Sequence, residues 1–338
     1  FSRARSCKAP HSMIPAALRA QAGAQPLRRH ASSWLSMIRR SQGGIQPGKT
    51  RPALPVPEHI VRPPYAETGD PGAAMPAAVV LSEEQTEAMV HATALARDVL
   101  DLAGTLVMPG VQTCDLDDQL HQAIIARNGY PSPLNYRGFP RSNCISVNEI
   151  VCHGIPDDRP LEDGDVVSID VSCFLNGVHG DTCRTFYVGE PDDETRHLVR
   201  TTKRALDAAI AICGPGVPVS EIGEVIERVA NKAGLGTVRE FVGHGIGPTF
   251  HTRPQVFHFA GSRSTEVLQA GTCFTIEPML TAGSPKVTLW RDGWTVATAD
   301  RKRSAQFEHT LRVTESGVEV LTAYDREFEE DAGANRLA

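Results

Sequence analysis

The sequence predicts an α+β domain in which helices and strands interleave without a regular βαβ array. Three observations predict it. Apolar residues recur at helical spacing after Ser82, two strand-like runs flank Asn176-Gly177, and after a second helical stretch the C-terminal third returns to short strands.

Ser82 opens the first helix and Gln85 completes a capping box; Ala88, Ala92, Leu95, Val99 and Leu102 then form one apolar stripe. A second helix is expected from about Leu116 to Arg127, ending before Gly129. Val166–Leu175 and Val178–Val188 read as strands joined at Asn176-Gly177, the strongest short hairpin signal. Leu198, Thr202, Ala205, Ala209 and Ile212 mark a third helix. Ile222, Val225, Val229 and Ala233 mark a fourth, closed by Gly234. Thr272–Leu280, Trp294–Thr298, Ala305–Thr314 and Gly317–Thr322 read as strands.

The flanks differ from this body. Residues 1–57 hold ten of the 34 basic side chains and no acid, leaving 24 basic against 40 acidic residues from Glu58 onward. An Arg-rich, acid-free leader has the composition of an organellar transit peptide, for a chloroplast or a mitochondrion. A disordered basic tail on a cytoplasmic protein is the competing reading. A nucleic-acid-binding arm is the weakest, because the body carries a net charge of −16 and repels phosphate. Residues 58–80 continue a Pro-rich stretch that reads as an extended linker, and 326–338 read as a solvated acidic tail. The expected domain therefore runs from 81 to 325. No apolar run approaches the roughly 18–20 residues of a membrane span, so no membrane anchor is expected. Eight dispersed cysteines without a CxxC pair fit a reducing compartment better than a disulfide framework or a zinc finger.

The acids within strands carry the chemistry. Across a two-residue turn, Asp170 faces Cys183, and Asp181 lies two residues along on the same side of the sheet. Such diagonal neighbours sit roughly 7–8 Å apart and their side chains can converge. Two solvated aspartates would be the ordinary alternative, but Asp170 interrupts a run of mostly apolar residues, where an unpaired charge is costly. Glu277 and Glu308 are likewise embedded in apparent strands without regular basic partners. Four such acids favour a shared metal centre over four separate salt bridges. His244 sits among glycines in Phe-Val-Gly-His-Gly-Ile-Gly, His251 follows it, and His153 lies in Val-Cys-His-Gly-Ile-Pro. Each alone reads as structural; together with four embedded acids they read as a site.

The blocks Asn143–Pro156, Ile169-Asp-Val171, His179-Gly-Asp-Thr182, Val242–Gly247, Thr275-Ile-Glu-Pro278 and Ser304–His309 resemble, in order and spacing, the signatures of type I methionine aminopeptidases. The resemblance covers roughly residues 80 to 323. The gap between His251 and Glu277 is too short for the helical insertion of the type II enzymes, and the Pro-rich stretch ending at Tyr65 resembles that of organellar plant members.

This resemblance implies the pita-bread fold, a pseudo-symmetric curved antiparallel sheet backed by helices. It implies removal of the initiator methionine from nascent proteins when the second residue is small. It also implies two divalent ions, Co²⁺, Mn²⁺ or Fe²⁺ with Zn²⁺ as a further option, held by Asp170, Asp181, His244, Glu277 and Glu308. In the family picture Asp181 and Glu308 bridge the ions, Asp170 chelates one, and His244 and Glu277 complete the other. Glu277 also shuttles a proton, His251 polarises the carbonyl and His153 contacts the scissile nitrogen. Tyr136, Phe139, Cys144, Phe250 and Trp294 are implied to line the methionine pocket. Pro133, Phe139 and Arg137 depart from the cysteine, tyrosine, and histidine or glycine common in bacterial members. A monomer with transient proximity to ribosomes is expected, with no direct nucleic-acid contact. An aminopeptidase P or prolidase type enzyme is the nearest rival, and a ligand-losing binding module the rival from another class; the full ligand set argues against the second.

Overall fold

The computed structural model describes residues 44–72 and 75–324. The leader up to position 43 and the acidic tail lie outside the described residues. Asn176 and Gly177 both take positive φ, 52° and 83°, as a tight two-residue turn between right-twisting strands demands. The pairing is the one expected, Asp170 opposite Cys183 and Ser172 opposite Asp181.

In chain order the strands begin with β1 (Tyr130–Pro131), β2 (Cys144–Val147), β3 (Ile150–Cys152), β4 (Val166–Leu175), β5 (Val178–Tyr187), β6 (Gly236–Thr237) and β7 (Gly243–Gly245). They continue with β8 (Thr252–Val256), β9 (Cys273–Ile276), β10 (Met279–Thr281), β11 (Val287–Leu289), β12 (Val296–Thr298), β13 (Ser304–Gln306), β14 (Glu308–Val313) and β15 (Val318–Val320). Nine form one antiparallel sheet in the order β1-β4-β5-β14-β9-β7-β8, with β2 on β4 and β15 on β14. Two three-stranded sheets, β13-β10-β6 and β11-β12-β3, flank it.

Among the described residues four α-helices back the sheet: α1 (Glu83–Leu106), α2 (Thr113–Ile125), α3 (Asp193–Ile210) and α4 (Val219–Lys232). The capping box is present, with the Ser82 hydroxyl accepting from the Gln85 amide and the Gln85 side chain from the Ser82 amide. Leu95, Val99, Leu116 and Leu120 of α1 and α2 share a core with Val167, Ile169 and Val171. Leu198, Leu206, Ile222 and Ile226 of α3 and α4 share another with Phe274, Ile276 and Leu311. One helix pair per half-sheet is the two-lobed arrangement of a pita-bread fold. Each fully buried Leu or Ile contributes roughly 1.5–3 kcal/mol, so sheet packing holds these helices more than propensity does.

Three features differ from the reading of the sequence. The two long C-terminal strands are each broken, at Glu277-Pro278 and at Phe307, because the chain changes sheet there, from the large sheet to a small one at the first break and back to the large sheet at the second, and Pro278 has no N–H for a ladder. The glycine-rich run around His244, to which the sequence assigns no element, contains strand β7, which pairs with β8 and β9. The described residues of the Pro-rich stretch form no helix or strand, yet they lie along the domain. Arg141 donates to the carbonyls of Arg51 and Pro52, and Ile60 and Tyr65 are buried.

Candidate active site

Side-chain alternation on β4 builds the floor of the site. Val167, Ile169, Val171 and Cys173 point into the helix-facing core, leaving Ser168, Asp170 and Ser172 on the opposite face. In-register pairing then aligns Cys144, Asp170, Cys183 and Glu308 in one row across β2, β4, β5 and β14. Asp181 is two residues from Cys183 and shares its face. Thr310 pairs with Thr275 of β9, so Glu277, just past that strand's end, arrives beside the row. His244 enters from β7, its amide donating to the Thr275 hydroxyl at 3.0 Å. Close approach requires the glycines here. A Cβ on Gly245 would stand 2.1 Å from the Arg253 carbonyl oxygen, and one on Gly243 2.3 Å from that of Thr275.

One ligand atom from each of Asp181, His244 and Glu308 lies within 4.8 Å of the others, and all three residues are buried. His244 Nε2 is 3.7 Å from both Asp181 Oδ2 and Glu277 Oε1. Ser172 Oγ donates to Asp181 Oδ1 at 2.7 Å, and Thr275 Oγ1 to Glu277 Oε1 at 3.1 Å. Asp170 Oδ1 and Glu308 Oε1 are buried with no hydrogen-bond partner. Burial lifts the carboxyls of Asp170, Glu277 and Glu308 well above the ordinary range, and the neighbouring Asp181 charge raises each of them further. Burial also raises Asp181 to about 6, with the Ser172 hydrogen bond opposing it. His244 is pushed down to about 4 by burial, so its imidazole is neutral and free to ligate. At an effective dielectric of 20, two like charges 4 Å apart repel by about 4 kcal/mol. A divalent cation turns that repulsion into attraction, and the oxygen-rich set with one imidazole suits such an ion.

Around this centre is a cavity of about 480 Å³ lined by all twelve residues the sequence nominated. His251 lies 4.2 Å, ring to ring, from both His244 and Phe250, and its buried Nδ1 has no partner. His153 takes φ +53°, a conformation costly for a non-glycine residue and concentrated at functional sites, and faces Phe241 and Trp294. Burial holds His153 at about 4 and His251 well below its usual value. Tyr136, Phe139, Cys144, Phe250 and Trp294 give the cavity an apolar wall, with Phe139 edge-on to Trp294 at 5.2 Å. Arg137 lines the mouth and donates to the Gly72 carbonyl at 3.3 Å.

Sequence reasoning missed several lining residues. Ser172 was recoverable, since it follows Asp170 by the strand period of two. His179 lay inside a quoted block but was given no role. Tyr65 carried no local signal within a Pro-rich run.

The model of metallopeptidase family M24 matches residues 87–315. Methionine aminopeptidase 1D, chloroplastic/mitochondrial, of Arabidopsis thaliana is 50% identical over 278 residues, 82% of this chain and 79% of the relative. Methionine aminopeptidase 1D, mitochondrial, of Danio rerio is 44% identical over 298 residues, 88% of each chain. The crystal structure of methionine aminopeptidase from Rickettsia prowazekii superposes with a TM-score of 0.71 at 41% identity, covering 73% of this chain and all of that one. With its buried acid and histidine cluster set in this fold, the chain belongs to metallopeptidase family M24, among the methionine aminopeptidases.

Proposed function

We propose that the chain removes the initiator methionine from nascent proteins whose second residue is small. The observation that carries this reading is the convergence of Asp181, His244 and Glu308 within 4.8 Å at the floor of an apolar-walled cavity. The partnerless oxygens of Asp170 and Glu308 fit a cation-binding role, and with Glu277 they complete a five-residue set for two divalent ions, Mn²⁺, Fe²⁺ or Co²⁺ ahead of Zn²⁺. Such ions supply Lewis acidity and a strong nucleophile at neutral pH.

The protein's own groups do the rest. Glu277, held by Thr275 and within 3.4 Å of the Gln306 amide, passes a proton from the nucleophile to the departing amine. His251, kept neutral, donates to the carbonyl oxygen as it gains charge, and His153 contacts the scissile nitrogen. Tyr136, Phe139, Cys144, Phe250 and Trp294 enclose the methionine side chain, a soft, flexible group suited to an aromatic wall. The free α-amine binds beside the carboxylates, which restricts cleavage to N-termini.

The organellar names of two relatives and the acid-free leader support import into a chloroplast or mitochondrion. A monomer meeting its substrates near the ribosome completes the reading. Among the described residues no helix is long and apolar enough to cross a membrane. The test is methionine release from Met-Ala-Ser by the full chain with Mn²⁺, Fe²⁺ or Co²⁺, beside Asp181→Ala. Release by the parent alone supports the reading; a folded parent that releases none with any of the three refutes it.

A further inference from the structure

Four rings beside the cavity form a closed circuit, and one of them comes from outside the expected catalytic domain. Tyr65 meets Tyr136 edge-on at 4.9 Å, and Tyr136 meets Phe250 at 5.1 Å. Phe250 stacks on His179 at 4.9 Å with 9° between planes, and His179 lies near-parallel to Tyr65 at 6.1 Å. Ser132 ties the circuit together. Its carbonyl accepts the Tyr65 hydroxyl at 2.6 Å, and its own hydroxyl bonds His179 Nδ1 at 2.9 Å. On the other side the circuit touches the chemistry: His251 is 5.0 Å from Tyr136 and 4.2 Å from Phe250.

The segment delivering Tyr65 is itself fastened. The Arg141 guanidinium, 1% exposed, donates to Asp117 at 2.8 Å and to the carbonyls of Arg51 and Pro52 at 3.1 and 3.0 Å. His121 Nε2 reaches the Pro55 carbonyl at 3.3 Å. Ile60 packs with Tyr65, Tyr130 and Phe174 in one buried cluster. Beyond it Pro64, Tyr65, Asp70 and Gly72 line the cavity. A proline-rich chain pinned at both ends loses little further freedom on binding substrate, as a preorganised wall should.

We propose that Tyr65 is a positioning residue of the methionine pocket, holding Tyr136 directly and Phe250 and His251 through the ring circuit, so that the Pro-rich segment is a wall of the active site. The proposal rests on the methionine aminopeptidase reading and adds a selectivity element to it. A pocket that selects by fit discriminates by the space left around one or two methylenes, so a wall freed to move loses selectivity before it loses chemistry.

The experiment compares kcat/KM for Met-Ala-Ser and Leu-Ala-Ser in the metal-loaded full chain, with thermal unfolding in parallel. Tyr65→Ala is expected to raise KM for Met-Ala-Ser by about tenfold, the scale of a lost aromatic pair, and to change kcat less. The Met-to-Leu preference is expected to fall by about fivefold or more. Tyr65→Phe keeps the ring but loses the bond to the Ser132 carbonyl, and is expected to retain more of the Met-to-Leu preference than Tyr65→Ala. Ile222→Ala, buried in the α4 core away from the Pro-rich segment, is expected to lower Tm with the preference unchanged. An unchanged Met-to-Leu ratio in Tyr65→Ala overturns the proposal, and so does an equal loss in Ile222→Ala. Should Tyr65→Ala not fold, Tyr65→Leu keeps bulk without the ring and is judged by the same ratio. A parent that releases no methionine overturns the functional reading instead.

Discussion

Asp170 and Glu308 stand in one row of the large sheet, each in register with Cys183, and each carries a buried oxygen without a hydrogen-bond partner. Their shared neighbour on the same face is Asp181, itself raised to about 6 by burial. Native proteins rarely leave buried polar atoms unsatisfied, and the exceptions mark strain, catalysis or an ion site. Three acids crowded this way cost the metal-free fold stability.

Glu308→Gln tests that cost. Replacing a buried carboxylate by a neutral amide relieves the repulsion, so the metal-free variant is expected to melt at or above the parent's temperature. Its gain in Tm on adding Mn²⁺ is expected to shrink sharply, and kcat to fall by roughly 10³, the several kcal/mol that a metal centre supplies. Scanning calorimetry with and without Mn²⁺, beside peptide assays, checks both halves. A metal-free variant clearly less stable than the parent would contradict the repulsion argument.

The response to pH follows from the same carboxyls. A carboxyl raised by folding stabilises the fold fully below its unfolded value, near 3.8 for Asp181, and that contribution is lost as pH rises through about 6. A divalent ion takes the proton's place, so metal binding releases protons and tightens as pH rises. His244, at about 4, is neutral at pH 5.5 and above and does not compete there. The Tm gain from Mn²⁺ is expected to be larger at pH 7.5 than at pH 5.5. Calorimetric titration in two buffers of different ionisation enthalpy should register the released protons, and equal gains at both pH values would sink the argument.

Ser172 is the simplest supporting residue to remove. Its hydroxyl donates to Asp181 Oδ1 at 2.7 Å, orienting the carboxylate and favouring its charged form. Losing such an outer partner typically lowers metal affinity by about 10–100-fold. Ser172→Ala is expected to weaken Mn²⁺ binding by about tenfold while the saturated enzyme keeps most of its kcat. A titration curve matching the parent's would remove Ser172 from the site.

Much of this was legible in the sequence, and the reasons are local. Asn176-Gly177 fixed a register, and register alone placed Asp170 and Asp181 on one face. The Ser82–Gln85 box and the stripe after Ala88 fixed a helix because capping and periodicity are both short-range. Tyr65 was not legible, since its partners Tyr136 and His179 lie 71 and 114 positions away and no periodicity marks it. The breaks at Glu277-Pro278 and Phe307 were hidden for a related reason: both flanks are β-forming, and only the tertiary change of sheet separates them.

Gly245 puts a price on the closeness of β7 to its neighbour. An added Cβ would meet the Arg253 carbonyl oxygen at 2.1 Å and the Thr252 hydroxyl at 2.3 Å, and backbone cannot move aside as a flexible side chain can. Gly245→Ala must therefore spread β7 from β8, next to His244. Overpacking of this kind costs roughly 1–3 kcal/mol, so the urea midpoint is expected to fall with the slope unchanged. Because His244 moves with its strand, Mn²⁺ affinity is expected to fall as well, whereas Gly110→Ala, where no atom lies within 4 Å of the new Cβ but φ is +91°, should lose stability alone. Destabilisation of Gly245→Ala with unaltered Mn²⁺ affinity would show that the strand's position and the ligand's are not coupled.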